Sequence, residues 1–201
     1  MADGPQLSTG QRDTAADSRD VELLERVAGG DREAFRELYA GYYHAVLRFI
    51  YRITGQLESA QEGVNDVMLV VWRSCSRFER KSKVATWIMG IAYRKGLKLL
   101  SNSKRWDERF KAGTIEEWNE PSAPDGELSN RGDLRDLLEH GMRQLPPKQR
   151  AVVELTYFYG YSYEEIANIV DCPVNTVKTR MFHARANLKM LLPGLGRDDL
   201  L

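Results

Sequence analysis

Tyr161–Leu192, YSYEEIANIVDCPVNTVKTRMFHARANLKMLL, decides the fold. Ser162 with Glu165 three residues later is a capping box, the signature of a helix start. Ile166, Ala167 and Val170 lie on one side of that helix, and the pattern halts at Asp171-Cys172. Pro173 then stands where proline is tolerated, at the first position of a second helix. In the second helix Val174, Val177, Met181, Ala184, Leu188 and Leu191 recur at three/four spacing and make one apolar stripe. On a wheel of about 100° per residue, the opposite side carries Asn175, Thr179, Phe182 and His183, with Lys178, Arg180 and Arg185 flanking it. No Asp or Glu occurs between Cys172 and Gly196. A DNA major groove admits an α-helix, and side chains of these types reach base edges and thymine methyls. An ordinary solvated charged face is the bland alternative. The capped leading helix, the short turn and the exclusively positive sign favour a helix-turn-helix that binds duplex DNA.

Working outward, the 201 residues suffice for one large or two small domains, and 42% hydrophobic content with four Trp and nine Tyr supports packed cores. The net charge of zero argues against a general nucleic-acid binder, but its distribution is uneven. Between Arg73 and Lys111 there are twelve Lys/Arg against three Asp/Glu, and between Glu116 and His140 eight acids against two Arg. Such alternation makes separate basic faces and acidic connectors. Cys75 and Cys172 form neither a zinc spacing nor a disulfide framework, so a reduced thiol is expected at each. No signal segment opens the chain, and no apolar run approaches the roughly 18 residues of a membrane helix, which points to the cytoplasm without membrane insertion.

Residues 1–19, poor in large apolar side chains, read as a disordered tail. A short helix over Val21–Ala28 ends at Gly29-Gly30. Asp31 can cap the next, whose apolar face is Ala34, Phe35, Leu38, Tyr42, Val46, Phe49, Ile50 and Ile53, and Thr54-Gly55 closes it. A third helix covers about Leu57–Arg77 with Val64, Val67, Met68, Val71 and Trp72 inward. Its flank of Glu58, Glu62 and Asp66 is either a solubilising stripe or a docking face for a basic partner. A basic loop, Phe78–Lys83, precedes a fourth helix over about Val84–Leu100 with Trp87, Ile88, Ile91, Ala92, Leu99 and Leu100 as its core side. A basic loop with aromatics at either end suits the backbone and unstacked bases of a melted strand; Phe78 and Trp87 as plain core is the alternative. Residues 103–132, with Pro121, Pro124, Gly113 and Gly126, read as a flexible linker. Helices over Asp133–Gln144 and Pro147–Tyr159 then lead into the opening stretch. No phosphate loop, nucleophile motif or metal spacing occurs, and His44, His140 and His183 are scattered, so neither catalysis, a cofactor nor a metal is expected. The fold class is all-α: two small helical domains, 20–102 and 133–192, followed by a tail at 193–201.

At two places the sequence resembles the bacterial sigma factors of the extracytoplasmic-function group, within the sigma-70 family. AFRELYAGYYHAVLRFI (34–50), VVWRSCSRF (70–78) and TWIMGIAYRKGLKLL (86–100) are similar to the family's sigma-2 domain. LPPKQRAVVELTYFYGYSYEEIANIVDCPVNTVKTRMFHARANL (145–188) is similar to its sigma-4 domain. The resemblance covers about Val21–Leu192, apart from the linker. It implies a promoter-recognition subunit of RNA polymerase that brings the core enzyme to specific promoters and helps open the −10 region. Glu58, Ser59, Glu62, Asn65 and Asp66 then correspond to the surface that docks on the polymerase clamp helices, with the flap as a further contact. Phe78, Arg80, Lys81, Ser82, Lys83, Thr86 and Trp87 correspond to the element that captures a flipped base of the melted −10 strand, and Arg94 and Lys98 to a helix face turned to promoter DNA. Asn175, Thr176, Lys178, Thr179, Phe182 and His183 match positions that read the double-stranded −35 element, with Arg180 and Arg185 placed for phosphate. An anti-sigma factor is a possible further partner.

One departure concerns docking. Family members usually carry an Asp-Ala-Glu-Asp-like pattern where this chain has Ser59-Ala60-Gln61-Glu62, and Gly63 lowers helix propensity where a larger residue is usual. A phosphate on Ser59 or Thr54 would restore negative charge; drift compensated by Glu58 and Asp66 is the other reading. The rival functions are a stand-alone helix-turn-helix regulator of operator DNA and a protein-interaction module. The first would carry a receiver or ligand domain in front, and the acid-free face of Val174–Leu192 counts against the second.

Overall fold

The computed structural model describes residues 9–102 and 131–191, and every regular element among them is helical. In chain order these are α1 (Thr9–Ala28), α2 (Arg32–Thr54), α3 (Leu57–Ser74) with a 3₁₀ turn at Cys75–Arg77, α4 (Val84–Ser101), α5 (Arg131–Gln144), α6 (Pro147–Tyr157), α7 (Tyr163–Val170) and α8 (Val174–Leu191). The linker expected at 103–132, its last two residues aside, and the tail at 193–201 lie outside the described residues, as do residues 1–8.

The first half is α1 to α4. Asp31 starts α2 by accepting from the backbone N–H groups of Glu33 and Ala34, at 2.9 and 3.1 Å. Gly55, at φ 71°, ends it in the left-handed conformation that a helix C-terminus favours. Between these stops the three/four pattern buries Ala34, Leu38, Val46, Phe49, Ile50 and Ile53. They meet Val64, Val67, Met68 and Val71 of α3 and Ile88, Ile91, Ala92 and Leu100 of α4. Each large apolar side chain so buried stabilises the fold by roughly 1.5–3 kcal/mol. The third helix tightens into its 3₁₀ turn at Cys75, three residues short of its expected end.

The expected disordered tail needs correcting, because α1 begins at Thr9 and not at Val21. Leu23, Leu24 and Val27 are its buried anchors. Polar contacts hold the turns before them: Arg19 pairs with Glu37, and the Tyr42 hydroxyl donates to Asp20. A criterion based on large apolar residues cannot detect such ordering.

The second half is α5 to α8, built around Leu145, Ala151, Val152, Leu155, Ile166, Ile169, Val177, Met181, Ala184 and Leu188. Pro146 precedes α6, and Pro147 occupies its first turn, where the missing N–H costs nothing. The two halves share a seam. Helix α7 crosses α4 at Gly90, where a Cβ would lie 3.5 Å from the Ile169 carbonyl oxygen. The Tyr159 hydroxyl donates to the Ala45 carbonyl at 2.8 Å. Buried Arg150 of α6 donates to the carbonyls of Arg52 and Ile53 at the end of α2, at 3.1 and 3.2 Å, and to those of Arg143 and Leu145 at 2.6 and 3.0 Å. A guanidinium is suited to this position because helix C-termini present unsatisfied carbonyls and partial negative charge.

Candidate nucleic-acid interface

Ser162 and Glu165 form the reciprocal capping box: the Ser162 hydroxyl accepts from Glu165 N at 3.2 Å, and Glu165 Oε2 accepts from Ser162 N at 3.0 Å. Helix α7 ends at Asp171, whose φ of 51° puts the chain in the left-handed region, which Asp tolerates better than most residues. Pro173 sits just before α8 as its cap, since its carbonyl accepts from the N–H groups of Thr176 and Val177. The result is a two-helix unit with a tight turn.

Burial along α8 follows the expected wheel. Val177, Met181, Ala184, Leu188 and Leu191 are buried, whereas Asn175, Lys178, Thr179, Phe182, His183 and Arg185 are exposed. Phe182 is 69% exposed, the most open of the large apolar side chains among the described residues, and its ring meets His183 edge-on at 5.6 Å. Arg185 donates to the Tyr157 hydroxyl at 2.6 Å, which steadies its guanidinium at the edge of the face. Thr176 is half-buried. Arg180 departs from the expected arrangement: it turns back to the seam, 3.6 Å from Cys172 Sγ and beside Tyr93 of α4. Burial pushes the Tyr93 hydroxyl pKa up, and Arg180 pulls against that shift.

In the first half, loop 78–83 projects its cations but leaves none unopposed. Arg80 pairs with Glu25 of α1, Lys81 with Glu79, and Lys83 with Glu165 of α7 at 2.8 Å. Burial raises the Glu165 carboxyl pKa, but Lys83 and Ser162 outweigh it and hold the group below the usual carboxylate range. Phe78 and Trp87 are half-buried and pack on each other with ring centroids 5.2 Å apart. Ser82 is half-buried, and Arg94 and Lys98 are exposed along α4. Thr86 needs correcting as a contact residue. Its side chain is enclosed at 2% exposure, and its hydroxyl has no hydrogen-bond partner among the described residues.

On α3, Glu58, Glu62 and Asn65 are exposed, Asn65 accepting from the Tyr39 hydroxyl at 2.8 Å. Asp66 pairs with Lys95 of α4 and so is not the free compensating charge expected of it. Ser59 donates to Gln56 Oε1 at 2.9 Å and is half-buried, while Thr54 donates to the Ile50 carbonyl at 2.9 Å. The exposed surface of α3 also holds Leu57, Leu69 and Val70, which are 43–55% exposed. Reading the flank by charge alone passed over these three exposed apolar side chains. No group of three His, Cys, Asp or Glu among the described residues could hold a metal ion. None of the described helices is long and apolar enough to cross a membrane.

Comparison with known proteins finds two regions of one family in this chain. The family description "Sigma-70 region 2" matches residues 38–106, and "Sigma-70, region 4" matches residues 135–188. The RNA polymerase sigma-H factor of Pseudomonas aeruginosa is 32% identical over 187 residues, covering 90% of this chain and 97% of that one. The ECF RNA polymerase sigma-E factor of Escherichia coli K12 is 32% identical over 173 residues, covering 83% and 90%. Among solved structures, the sigma factor RpoE of Bartonella quintana, in complex with the anti-sigma factor NepR, superposes with a TM-score of 0.59 at 25% identity over 81% of this chain and 98% of that one. The two sigma-70 regions in family order, on a chain aligned nearly end to end with such relatives, make this protein a member of the sigma-70 family, a sigma factor of the extracytoplasmic-function group that directs RNA polymerase to promoters.

Proposed function

We propose that the outward face of α8 reads the −35 element while loop 78–83 and α4 hold the melted −10 strand. The observation that carries this reading is the acid-free row Asn175, Lys178, Thr179, Phe182, His183 and Arg185, exposed on a helix presented by a capped helix and a tight turn. Asn175, Lys178 and His183 supply donors and acceptors for base edges, Phe182 an apolar contact for a thymine methyl, and Arg185 a phosphate contact. Arg94 and Lys98 add phosphate contacts along α4, and Lys81 and Ser82 approach the unstacked strand from the loop. Opening the −10 region costs a few kcal/mol of unstacking, offset by pocket contacts to the flipped base. The chain needs no chemistry of its own for these steps.

Core polymerase would dock on α3 through Glu58 and Glu62 together with Leu57, Leu69 and Val70. An apolar share in this contact supports binding despite the missing carboxylates. An anti-sigma factor is proposed as the regulatory partner and the cytoplasm as the compartment. The −35 assignment is tested with Lys178→Ala/Phe182→Ala. At about 1–3 kcal/mol per good base contact, the double variant should lose at least tenfold in binding to −35 duplex while core polymerase still captures it. Promoter binding equal to wild type would refute the assignment.

A further inference from the structure

Helix α4 begins without a cap of its own. Lys83 stands at its N-cap position with no side-chain cap bond, and an ammonium has no acceptor to offer the first-turn N–H groups. The acceptor comes from 67 residues away: Asp17 Oδ1 of α1 takes the Val84 N–H at 3.0 Å. Eight residues further along α1, about 12 Å of helix, Glu25 pairs with Arg80. Arg80 has a φ of 55°, a left-handed backbone that a residue other than glycine seldom adopts. Helix α1 therefore grips loop 78–83 at two points, at its strained residue Arg80 and at the N–H of Val84 that follows it and opens α4. Helix α1 is itself tied to α2 through Arg19–Glu37 and Tyr42–Asp20. All four contacts come from a helix that precedes the region 2 match at residues 38–106.

We infer that α1 is a strap that sets the conformation of loop 78–83, and that Asp17 is a positioning residue for capture of the −10 strand. The inference rests on the assignment of that loop to the −10 strand. A frayed first turn of α4 would free Trp87 from Phe78 and spread the loop over many conformations. Apparent affinity for the strand then falls by the fraction of loops still competent to bind. Asp17 touches no DNA in this scheme; it acts through the loop.

The test uses holoenzyme reconstituted from the full chain and core polymerase, on a promoter that the wild-type holoenzyme selects from a random library. Permanganate reactivity of the −10 thymines reads opening, and core affinity is measured in parallel. Asp17→Ala should lower opening about fivefold, the scale of a lost helix cap of ~1 kcal/mol, with core affinity unchanged. Asp17→Asn keeps an oxygen acceptor and should restore opening to within twofold of wild type. Lys81→Glu, in the loop itself, should impair opening independently of the strap. Impaired Lys81→Glu with normal Asp17→Ala would overturn the strap while leaving the −10 assignment standing. Normal opening in both would overturn the −10 assignment and the strap with it. Equal loss of core affinity and opening in Asp17→Ala would reduce the residue to a structural role and also overturn the inference.

Discussion

At the scale of single residues, Gly63 shows how far a side-chain inventory can mislead. In sequence it lowers the propensity of the third helix, by about 1 kcal/mol relative to alanine. In the fold it sits at a crowded meeting point of three helices. It is buried, and a Cβ there would lie 2.9 Å from Ile50 Cδ1 and 3.0 Å from Leu99 Cδ1, so it allows α2 and α4 to close on α3 together. Gly63→Val should therefore destabilise the chain by about 2 kcal/mol, the usual cost of overpacking, despite valine's better helix propensity. Denaturant unfolding followed by circular dichroism checks this, and an unshifted midpoint would show that the three helices have room to spare. The outward residues of α8 were legible because they depend only on the 3.6-residue period of their own helix. Arg180, Asp66 and Thr86 were not, because their partners or enclosing atoms come from other elements: Tyr93, Lys95 and the first-half core.

Elements were legible in proportion to how locally they are specified. The start of α7 is written into four residues, Ser162 to Glu165, and both bonds of the capping box form. Ser162→Ala should remove about 1 kcal/mol and lower the melting temperature by roughly 2–4 °C, while Glu165 stays paired with Lys83. Differential scanning calorimetry gives the answer; no change in melting temperature would mean that tertiary packing alone sets the end of α7. The stops of α2 at Asp31 and Gly55 were equally readable, since a side-chain acceptor and a left-handed glycine act within one turn. Helix α1 was readable only from Val21 onward, where it buries Leu23, Leu24 and Val27. Its earlier turns depend on Glu37, Tyr42 and Val84, residues 18, 22 and 67 positions away, which no local pattern reveals.

For the whole molecule, what sequence could not show is that the two heads are packed together. A compact chain of this length is roughly 40–45 Å across, whereas elements named −35 and −10 lie about 25 base pairs or ~85 Å apart on duplex DNA. On the proposed assignment of α8 to the −35 element and loop 78–83 to the −10 strand, the two halves cannot both engage with the seam closed, so loading on a promoter would have to open it. Glu154 is a titratable group at the seam. It is fully enclosed between α2 and α6, and neither of its oxygens has a hydrogen-bond partner among the described residues. Arg52 lies 3.8 Å away, Arg48 and Arg150 face it, and Glu139 adds a like charge. Burial is the largest influence and pushes its pKa up to about 7, from an ordinary 4.5, against the pull of Arg52 and Arg150. An opening that returned Glu154 to water would release the proton that it binds when enclosed. Closure is fully favoured below about pH 4.5 and weakens as pH rises through 7. Between pH 6 and 8 the closed-to-open ratio should fall about tenfold, or ~1.4 kcal/mol. Fluorophores at Lys81→Cys and Glu164→Cys in a Cys172→Ser background report on the seam, because Lys83 and Glu165 pair across it. Energy transfer in the wild type should drop over that pH range, whereas Glu154→Gln, unable to ionise, should stay closed at pH 8 and engage promoters more slowly. A wild-type signal flat from pH 6 to 8, or one that Glu154→Gln reproduces, would assign the grip of the seam to Arg150 and the α4–α7 crossing instead.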